Sequence, residues 1–137
     1  MLEFTSEMLM NVPSIDEQHR ELIKRVNEMG GIGTRIFDLG EVEKNLVFFR
    51  MYIIKHFADE EELQLRIGYP GYERHRGLHQ QFVEEYKRFV ADYQKNGSSM
   101  SFMLHFNRAV IQWVSQHIQE EDLEIARYVH ANNIKVD

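Results

Sequence analysis

Apolar side chains recur at alternating intervals of three and four residues along most of this chain, which is the spacing of one face of an α-helix. The clearest run reads Val42, Leu46, Phe49, Ile53, His56, Glu60, Leu63 and Ile67. Similar runs come before and after it, and we find no strand-like alternation of useful length. The pattern predicts an N-terminal arm over residues 1–13, followed by helices over about 14–38, 41–67, 71–96 and 99–130.

Residues that favour helix ends lie at the predicted boundaries. Ser14 followed by Glu17 fits a capping box at the start of the first helix. Gly68, followed closely by a proline, favours the end of the second helix. Ser98 or Ser99 can cap the start of the fourth helix.

A cluster of glycines interrupts the first predicted helix at Gly30–Gly33. Each glycine costs a helix about 1 kcal/mol relative to alanine, so the helix could end there. Because the next two predicted helices are long, we expect the first one to continue through the glycines to about Phe37.

Four helices with short connections predict an all-α fold, an up-down-up-down antiparallel four-helix bundle. The 137 residues fit one compact domain, and we expect a single domain over 1–137. Phe4 and Met8 of the N-terminal arm can fold over one end of the bundle.

Composition narrows the possible partners. The chain carries a formal net charge of -6, which argues against binding to nucleic acid or to an anionic membrane. It has no cysteine, so disulfides, iron–sulfur clusters and thiolate chemistry are excluded. The N-terminus lacks the pattern of a secretory signal, and no apolar run is long enough to span a membrane. We therefore expect a soluble cytoplasmic protein.

Five histidines and two carboxylates lie within or close to the apolar stripes. They are His19, His56, Glu60, His75, His79, His117 and Asp122. A lone buried histidine is more often hydrogen-bonded than metal-bound. A buried carboxylate among five histidines is different, because burying the charge is unfavourable unless it is paired or bound to metal. Seven ligands are too many for one zinc ion and suit a pair of octahedral metal ions.

The last of these residues is out of phase with the others. Asp122 follows His117 by five residues, which is about 140° around an ideal helix. After His117 the apolar stripe resumes at Asp122, Ile125 and Val129, as if one residue had been added. A π-bulge between His117 and Asp122 would absorb that residue and turn the aspartate inward.

Five other acidic residues lie beside these positions but off the stripes, and we predict that they form solvated faces. They are Asp59, Glu61, Glu62, Glu120 and Glu121.

The combination of these residues resembles the hemerythrins, most closely the free-standing bacterial ones. The resemblance extends from about Phe4 to Tyr128. The matching segments are Ile15–Leu22, His56–Glu61, Gly68–Tyr72 with His75 and His79, and Trp113–Ile118 with Asp122.

This resemblance implies two iron ions joined by an oxo or hydroxo bridge. It assigns His75, His79 and His117 to one iron, His19 and His56 to the other, and Glu60 and Asp122 to both. The second iron then keeps one open position, where dioxygen binds and takes two electrons from the diferrous pair. The implied walls of the dioxygen pocket are Phe57, Phe82, Trp113, Val114 and Ile118.

The chain also departs from the family pattern without losing a ligand. Val114 stands where a leucine is usual, Gln64 replaces a frequent methionine, and the glycine cluster is uncommon. These departures bear on how long bound dioxygen survives more than on the fold or the metal.

We expect a dioxygen-binding protein for carriage, storage or delivery, and not an enzyme, because no further acid–base residue accompanies the predicted ligands. One alternative is an oxygen or redox sensor that acts through a separate partner, since no output domain follows the last helix. Another is a peroxide-handling di-iron enzyme, and iron storage is a further possibility.

Overall fold

The computed structural model describes residues 2–30 and 39–134, and all of the long elements in these ranges are helices. The α-helices are α1 (Pro13–Gly30), α2 (Leu39–Phe48), α3 (Ile54–Ile67), α4 (Tyr72–Asn96), α5 (Met100–Gln116) and α6 (Leu123–Ala131). A single 3₁₀ turn, Ser6–Met8, lies in the N-terminal arm.

Two π-helical segments join these helices into longer ones. The first π segment, Phe49–Ile53, connects α2 to α3, and the second π segment, His117–Asp122, connects α5 to α6. The chain therefore forms four bundle helices, in which α1 packs against α5 and α3, and α4 packs against both α3 and α5. The predicted all-α four-helix bundle is confirmed.

The start of α1 differs from the prediction. The helix begins at Pro13, so Ser14 lies inside its first turn and the predicted capping box of Ser14 and Glu17 is wrong. Proline suits the first helical position because its missing N–H would have no helical partner there. The arm is held by another residue of this turn, since the main-chain N–H of Met10 donates to Asp16 Oδ1 at 2.8 Å.

The predicted helix ends at Gly68 and Ser99 agree with the structure, whereas the second helix begins at Leu39 instead of about residue 41. Gly68 ends α3 in the left-handed region, at φ 68°, as expected of a residue that closes a helix. Ser99 caps α5, because its hydroxyl oxygen accepts from the N–H of Phe102 at 3.0 Å. The predicted continuation of the first helix from Gly30 to Phe37 lies outside the described residues.

The first π segment was not predicted, and a tyrosine from another helix bonds to the main chain beside it. The hydroxyl of Tyr86 on α4 donates to the main-chain carbonyl of Leu46 and also bonds to the main chain of Arg50. Leu46 and Arg50 are four apart, so in a regular α-helix their carbonyl and N–H would bond to each other. The tyrosine hydroxyl thus bonds to the main chain just before the π segment, and inserted side chains of this kind are a known cause of helix irregularity.

The buried apolar side chains form two clusters. The smaller cluster consists of Met10, Ile15, Leu63, Ile125 and Ala126. The larger cluster fills much of the rest of the bundle and includes Leu22, Phe57, Phe106, Val110 and Ile118. Along α1, α3 and the second π segment, a buried polar residue separates the two clusters, so a polar layer crosses the bundle between them. No helix within 2–30 or 39–134 is long and apolar enough to cross a membrane.

Candidate metal centre

The structure brings the seven predicted side chains together in the polar layer, and none of them is more than 5% exposed. Their nitrogen and oxygen atoms fall into two groups, and the atoms within each group lie within 4.8 Å of one another. The first group is Glu60, His75, His79, His117 and Asp122. The second group is His19, His56, Glu60 and Asp122, so both carboxylates belong to both groups.

Glu60 divides its two carboxylate oxygens between the two sets of histidines. Its Oε1 lies 2.7 Å from His75 Nε2 and 3.3 Å from His79 Nε2. Its Oε2 lies 2.9 Å from His19 Nε2 and 3.4 Å from His56 Nε2. This side chain therefore faces both groups at once.

Asp122 is divided in the same way. Its Oδ1 lies 3.1 Å from His75 Nε2 and 3.2 Å from His117 Nε2, whereas its Oδ2 lies 3.2 Å from His19 Nε2. The second π segment is what allows this, because it begins at His117, ends at Asp122 and buries both side chains. The π-bulge predicted from the shift in phase is confirmed.

Several atoms of this layer lack hydrogen bonds although they are buried. Among the residues that the structure describes, His56 Nε2 and both oxygens of Asp122 have no hydrogen-bond partner. Leaving such atoms without a partner is unfavourable, and a metal ion would satisfy them. Imidazole nitrogens and carboxylate oxygens together suit iron and other transition metals, so the donor set fits a metal site.

A partly buried amide, that of Gln18, fixes the orientation of His56. The Nδ1 of His56 lies 2.8 Å from Gln18 Oε1, and because an amide oxygen can only accept, Nδ1 carries the proton. Its Nε2 therefore presents a lone pair to the polar layer. Gln18 is held in turn by Asp59, to which its amide nitrogen donates at 2.8 Å.

A carboxylate does the same for His79. The Nδ1–H of His79 donates to Glu61 Oε2 at 2.9 Å, which leaves Nε2 free to bind a metal. We predicted only that Glu61 and Asp59 belong to solvated faces; both are partly exposed, but their hydrogen bonds toward the histidines were not predicted. The signal was available, because a histidine that binds metal generally donates its second N–H to a nearby carboxylate or carbonyl.

The remaining flanking acids differ among themselves. Glu62 and Glu120 are exposed as predicted. Glu121 is only partly exposed, because it pairs with Arg74 across the gap between the second π segment and α4.

A family model described as the hemerythrin HHE cation binding domain matches residues 10–129 of the chain. The match covers all seven residues of the polar layer and most of the bundle. The chain belongs to the hemerythrin family. Its cluster of buried histidines and carboxylates is able to hold a metal ion, as expected in a cation-binding family.

Individual relatives support this membership. The chain is 28% identical to a bacteriohemerythrin of Campylobacter jejuni over 119 residues, which is 87% of this chain and 88% of the relative. It is 28% identical to a bacteriohemerythrin of Stenotrophomonas maltophilia over 134 residues, covering 96% of this chain and 84% of the relative. A hemerythrin of Sipunculus nudus is 26% identical over 110 residues, covering 80% of this chain and 78% of the relative.

A solved structure shows the same fold. The crystal structure of a wild-type hemerythrin superposes with a TM-score of 0.74 at 21% sequence identity, covering 93% of this chain and 96% of that one. At this identity the likeness concerns the arrangement of the helices alone.

Glu60 and Asp122 change the pKa values of the histidines around them and have lowered pKa values themselves. Burial alone would lower the pKa of His19 and His75, but the carboxylates of Asp122 and Glu60 beside them raise the pKa of each to about 10. Burial lowers the pKa of His56. Burial would raise the pKa of Glu60, but the charge of His56 and the hydrogen bonds from the histidines hold it well below its usual range. Both carboxylates are therefore ionised, which is the state that binds metal.

Aromatic rings close the layer on the side of the larger cluster. Phe57 stacks on His79 with ring centroids 3.8 Å apart, and Trp113 stacks on His117 at 4.4 Å. Phe82 lies against both, at 5.8 Å from Phe57 and 4.5 Å from Trp113.

The two aliphatic residues predicted for the dioxygen pocket, Val114 and Ile118, are buried and belong to the same cluster as these rings. All five predicted pocket residues thus lie on the larger-cluster side of the polar layer.

Proposed function

We propose that this hemerythrin binds dioxygen reversibly at a pair of iron ions. The observation that carries the proposal is the division of Glu60 and Asp122, each of which turns its two oxygens toward different histidines. One metal ion does not require that arrangement, whereas two ions a short distance apart require bridging carboxylates of this kind.

The two groups differ in the number of ligands that they offer. The first ion would be held by His75, His79 and His117 together with one oxygen from each carboxylate. The second ion would be held by His19 and His56 with the other two oxygens, which is one protein ligand fewer. The second ion would therefore have room for a small ligand, and a pair of ferrous ions would supply the two electrons that dioxygen binding needs.

The surrounding side chains favour release over further reaction. Phe57 and Val114 are buried, and the apolar cluster to which they belong keeps water away from the polar layer. An apolar shell limits the access of solvent to a metal centre, and protons from solvent promote the loss of reduced oxygen species. Five imidazoles with only two carboxylates also favour the ferrous state, because imidazole is a neutral ligand.

Gln18 and Glu61 support the same function from outside the polar layer. Each accepts the Nδ1 proton of one histidine and so keeps the corresponding Nε2 directed at a metal. The partner of His56 is a neutral amide, whereas the partner of His79 is a carboxylate. A carboxylate partner makes an imidazole a stronger donor, so the first ion would be the more firmly held of the two.

The test is a spectrum recorded beside an iron count. The purified chain is loaded with iron, reduced without oxygen, exposed to air and then returned to an oxygen-free atmosphere. Two irons per chain and a visible charge-transfer band that appears with oxygen and disappears on its removal would establish the function. Immediate and irreversible oxidation of both irons would contradict it and favour a sensor or a peroxide-handling enzyme.

A further inference from the structure

A buried glutamine lies beside the metal centre without an evident role. Gln64 on α3 is 0% exposed, and neither its Nε2 nor its Oε1 has a hydrogen-bond partner among the residues of 2–30 and 39–134. Buried amides of native proteins are almost always hydrogen-bonded, because leaving them without a partner is unfavourable. A side chain of this kind calls for a partner that is present in the working protein.

Gln64 and Asp16 are buried polar residues about one turn from the metal centre, and Asp16 differs in that it accepts from the main chain of Met10. Gln64 follows Glu60 by four residues, so the two side chains leave the same face of α3 about one turn apart. The smaller apolar cluster is also about one turn from the metal centre on each helix: Ile15 is four residues before His19, and Ile125 is three residues after Asp122. This layer therefore borders the polar layer directly.

The unpaired groups of the two layers are chemically complementary. The Asp122 oxygens lie 3.1–3.2 Å from histidine nitrogens and have no hydrogen bond within the described residues, and a carboxylate oxygen that faces a metal site can still accept one. The amide nitrogen of Gln64 carries two hydrogens that can only be donated. We propose that Gln64 is a positioning residue of the metal centre, whose amide donates to the carboxylate of Asp122, either directly or through one bound water.

The proposal rests on the proposed function only in needing two metal ions bridged by Asp122. A hydrogen bond to a bridging carboxylate fixes its orientation and draws negative charge away from the metals. Fixing the orientation favours metal binding, and drawing charge away favours the ferrous state over the ferric state. Metal affinity and the preference for the ferrous state can change only when metal is bound. If the Gln64 amide had no partner, replacing it would change only the stability of the fold.

The chain offers a matched control for this difference. Asn107 on α5 is also a buried amide, and its Oδ1 likewise has no hydrogen-bond partner within the described part of the chain. It precedes His117 by ten residues, roughly 15 Å along the helix, so it is too far away to contact the polar layer. The variants Gln64→Met and Asn107→Leu each replace a buried amide by an apolar side chain of similar size.

The experiment measures the affinity of the folded full chain for Co²⁺ by competition with a chelator, and the midpoint potential of the iron-loaded chain. For Gln64→Met we expect an affinity about tenfold lower, the usual loss when a group that orients a ligand is removed, and a lower potential. For Asn107→Leu we expect both values to stay at those of the unmodified chain. Unchanged affinity and potential in Gln64→Met would overturn the proposal, as would equal changes in the two variants.

The same experiment separates this proposal from the function on which it rests. Co²⁺ reports the ligand set without redox chemistry, so the affinity can be compared even if the iron form fails to release dioxygen. If the unmodified chain holds two Co²⁺ ions but binds dioxygen irreversibly, the proposed function fails and the role of Gln64 is still tested. If it cannot hold two Co²⁺ ions, the two-metal centre fails and the proposal for Gln64 fails with it.

Discussion

The two π segments use the same backbone irregularity for different ends. The first π segment, Phe49–Ile53, buries two apolar side chains and accommodates the hydroxyl of Tyr86 from a neighbouring helix. The second π segment, His117–Asp122, buries a histidine and an aspartate that face the metal centre. The first segment therefore contributes to the packing of two helices, and the second places two candidate metal ligands. If this distinction is right, changes in the two segments should affect different properties of the protein.

The largest expected effect comes from Asp122→Ala in the second π segment. This change removes the oxygens that face both groups of histidines, so we expect iron loading to fall from two per chain to one or none. The matched control is Glu121→Ala, since Glu121 lies in the same segment but pairs with Arg74 instead of the histidines. The iron content of both variants, measured after loading and desalting, checks the prediction. Two tightly held irons in Asp122→Ala would show that the aspartate does not bridge.

A smaller effect is expected from Tyr86→Phe at the first π segment. Without the hydroxyl, the carbonyl of Leu46 and the main chain of Arg50 lose a buried partner, which typically costs about 1–3 kcal/mol of unfolding free energy. We expect iron loading to remain that of the unmodified chain. Denaturant unfolding of the metal-free chain measures the cost. Tyr128→Phe is the control, because the Tyr128 hydroxyl bonds to Gly68 at an exposed position where water can replace it. A loss of iron in Tyr86→Phe would mean that the two segments are not independent.

The smallest effect concerns the pH dependence of the metal centre, which the second π segment faces and the first does not. His19 and His75 of the metal-free chain have pKa values raised from 6.5 to about 10. The stability that these protons contribute is fully present below about pH 6.5 and is lost as the pH rises toward 10. Since a histidine must lose its proton to bind metal, metal binding at pH 7 should release protons, and affinity should rise with pH. Titration calorimetry in two buffers of different ionisation enthalpy measures the protons released, and release of none would contradict the assignment of the ligands.

The first π segment should show no such dependence. Burial raises the pKa of Tyr86 above its usual value of 10, so the hydroxyl keeps its proton across the neutral range. We therefore expect the stability cost of Tyr86→Phe to be the same at pH 6 and pH 8. A cost that changes between these two values would show that the segment is coupled to a titrating group.

The same comparison shows what the sequence could reveal. The second π segment was predictable because the buried positions slip by one residue between His117 and Asp122, and a local slip is visible in a single sequence. The first was not, since Leu46, Phe49 and Ile53 keep a regular helical spacing. Tyr86, whose hydroxyl bonds to the main chain beside this segment, is forty residues from Leu46 and meets it only in the folded bundle.

The candidate site was also predictable only in part: its seven buried side chains were predicted, and the groups that orient them were not. The seven buried side chains of the polar layer stand out because burying polar groups on apolar stripes is unfavourable without a shared reason. The groups that orient them, Gln18 and Glu61, lie on the partly exposed edges of helices, where periodicity gives no signal. The start of α1 was mispredicted because Ser14 and Glu17 satisfy a local rule, whereas the helix starts one residue earlier at Pro13.

The most direct test of the two-metal centre is diffraction from crystals of the iron-loaded chain at the iron absorption edge. The account predicts two anomalous peaks in the polar layer. One lies among His75, His79 and His117, the other lies beside His19 and His56, and both contact Glu60 and Asp122. A single peak, or two peaks that do not share these carboxylates, would contradict it.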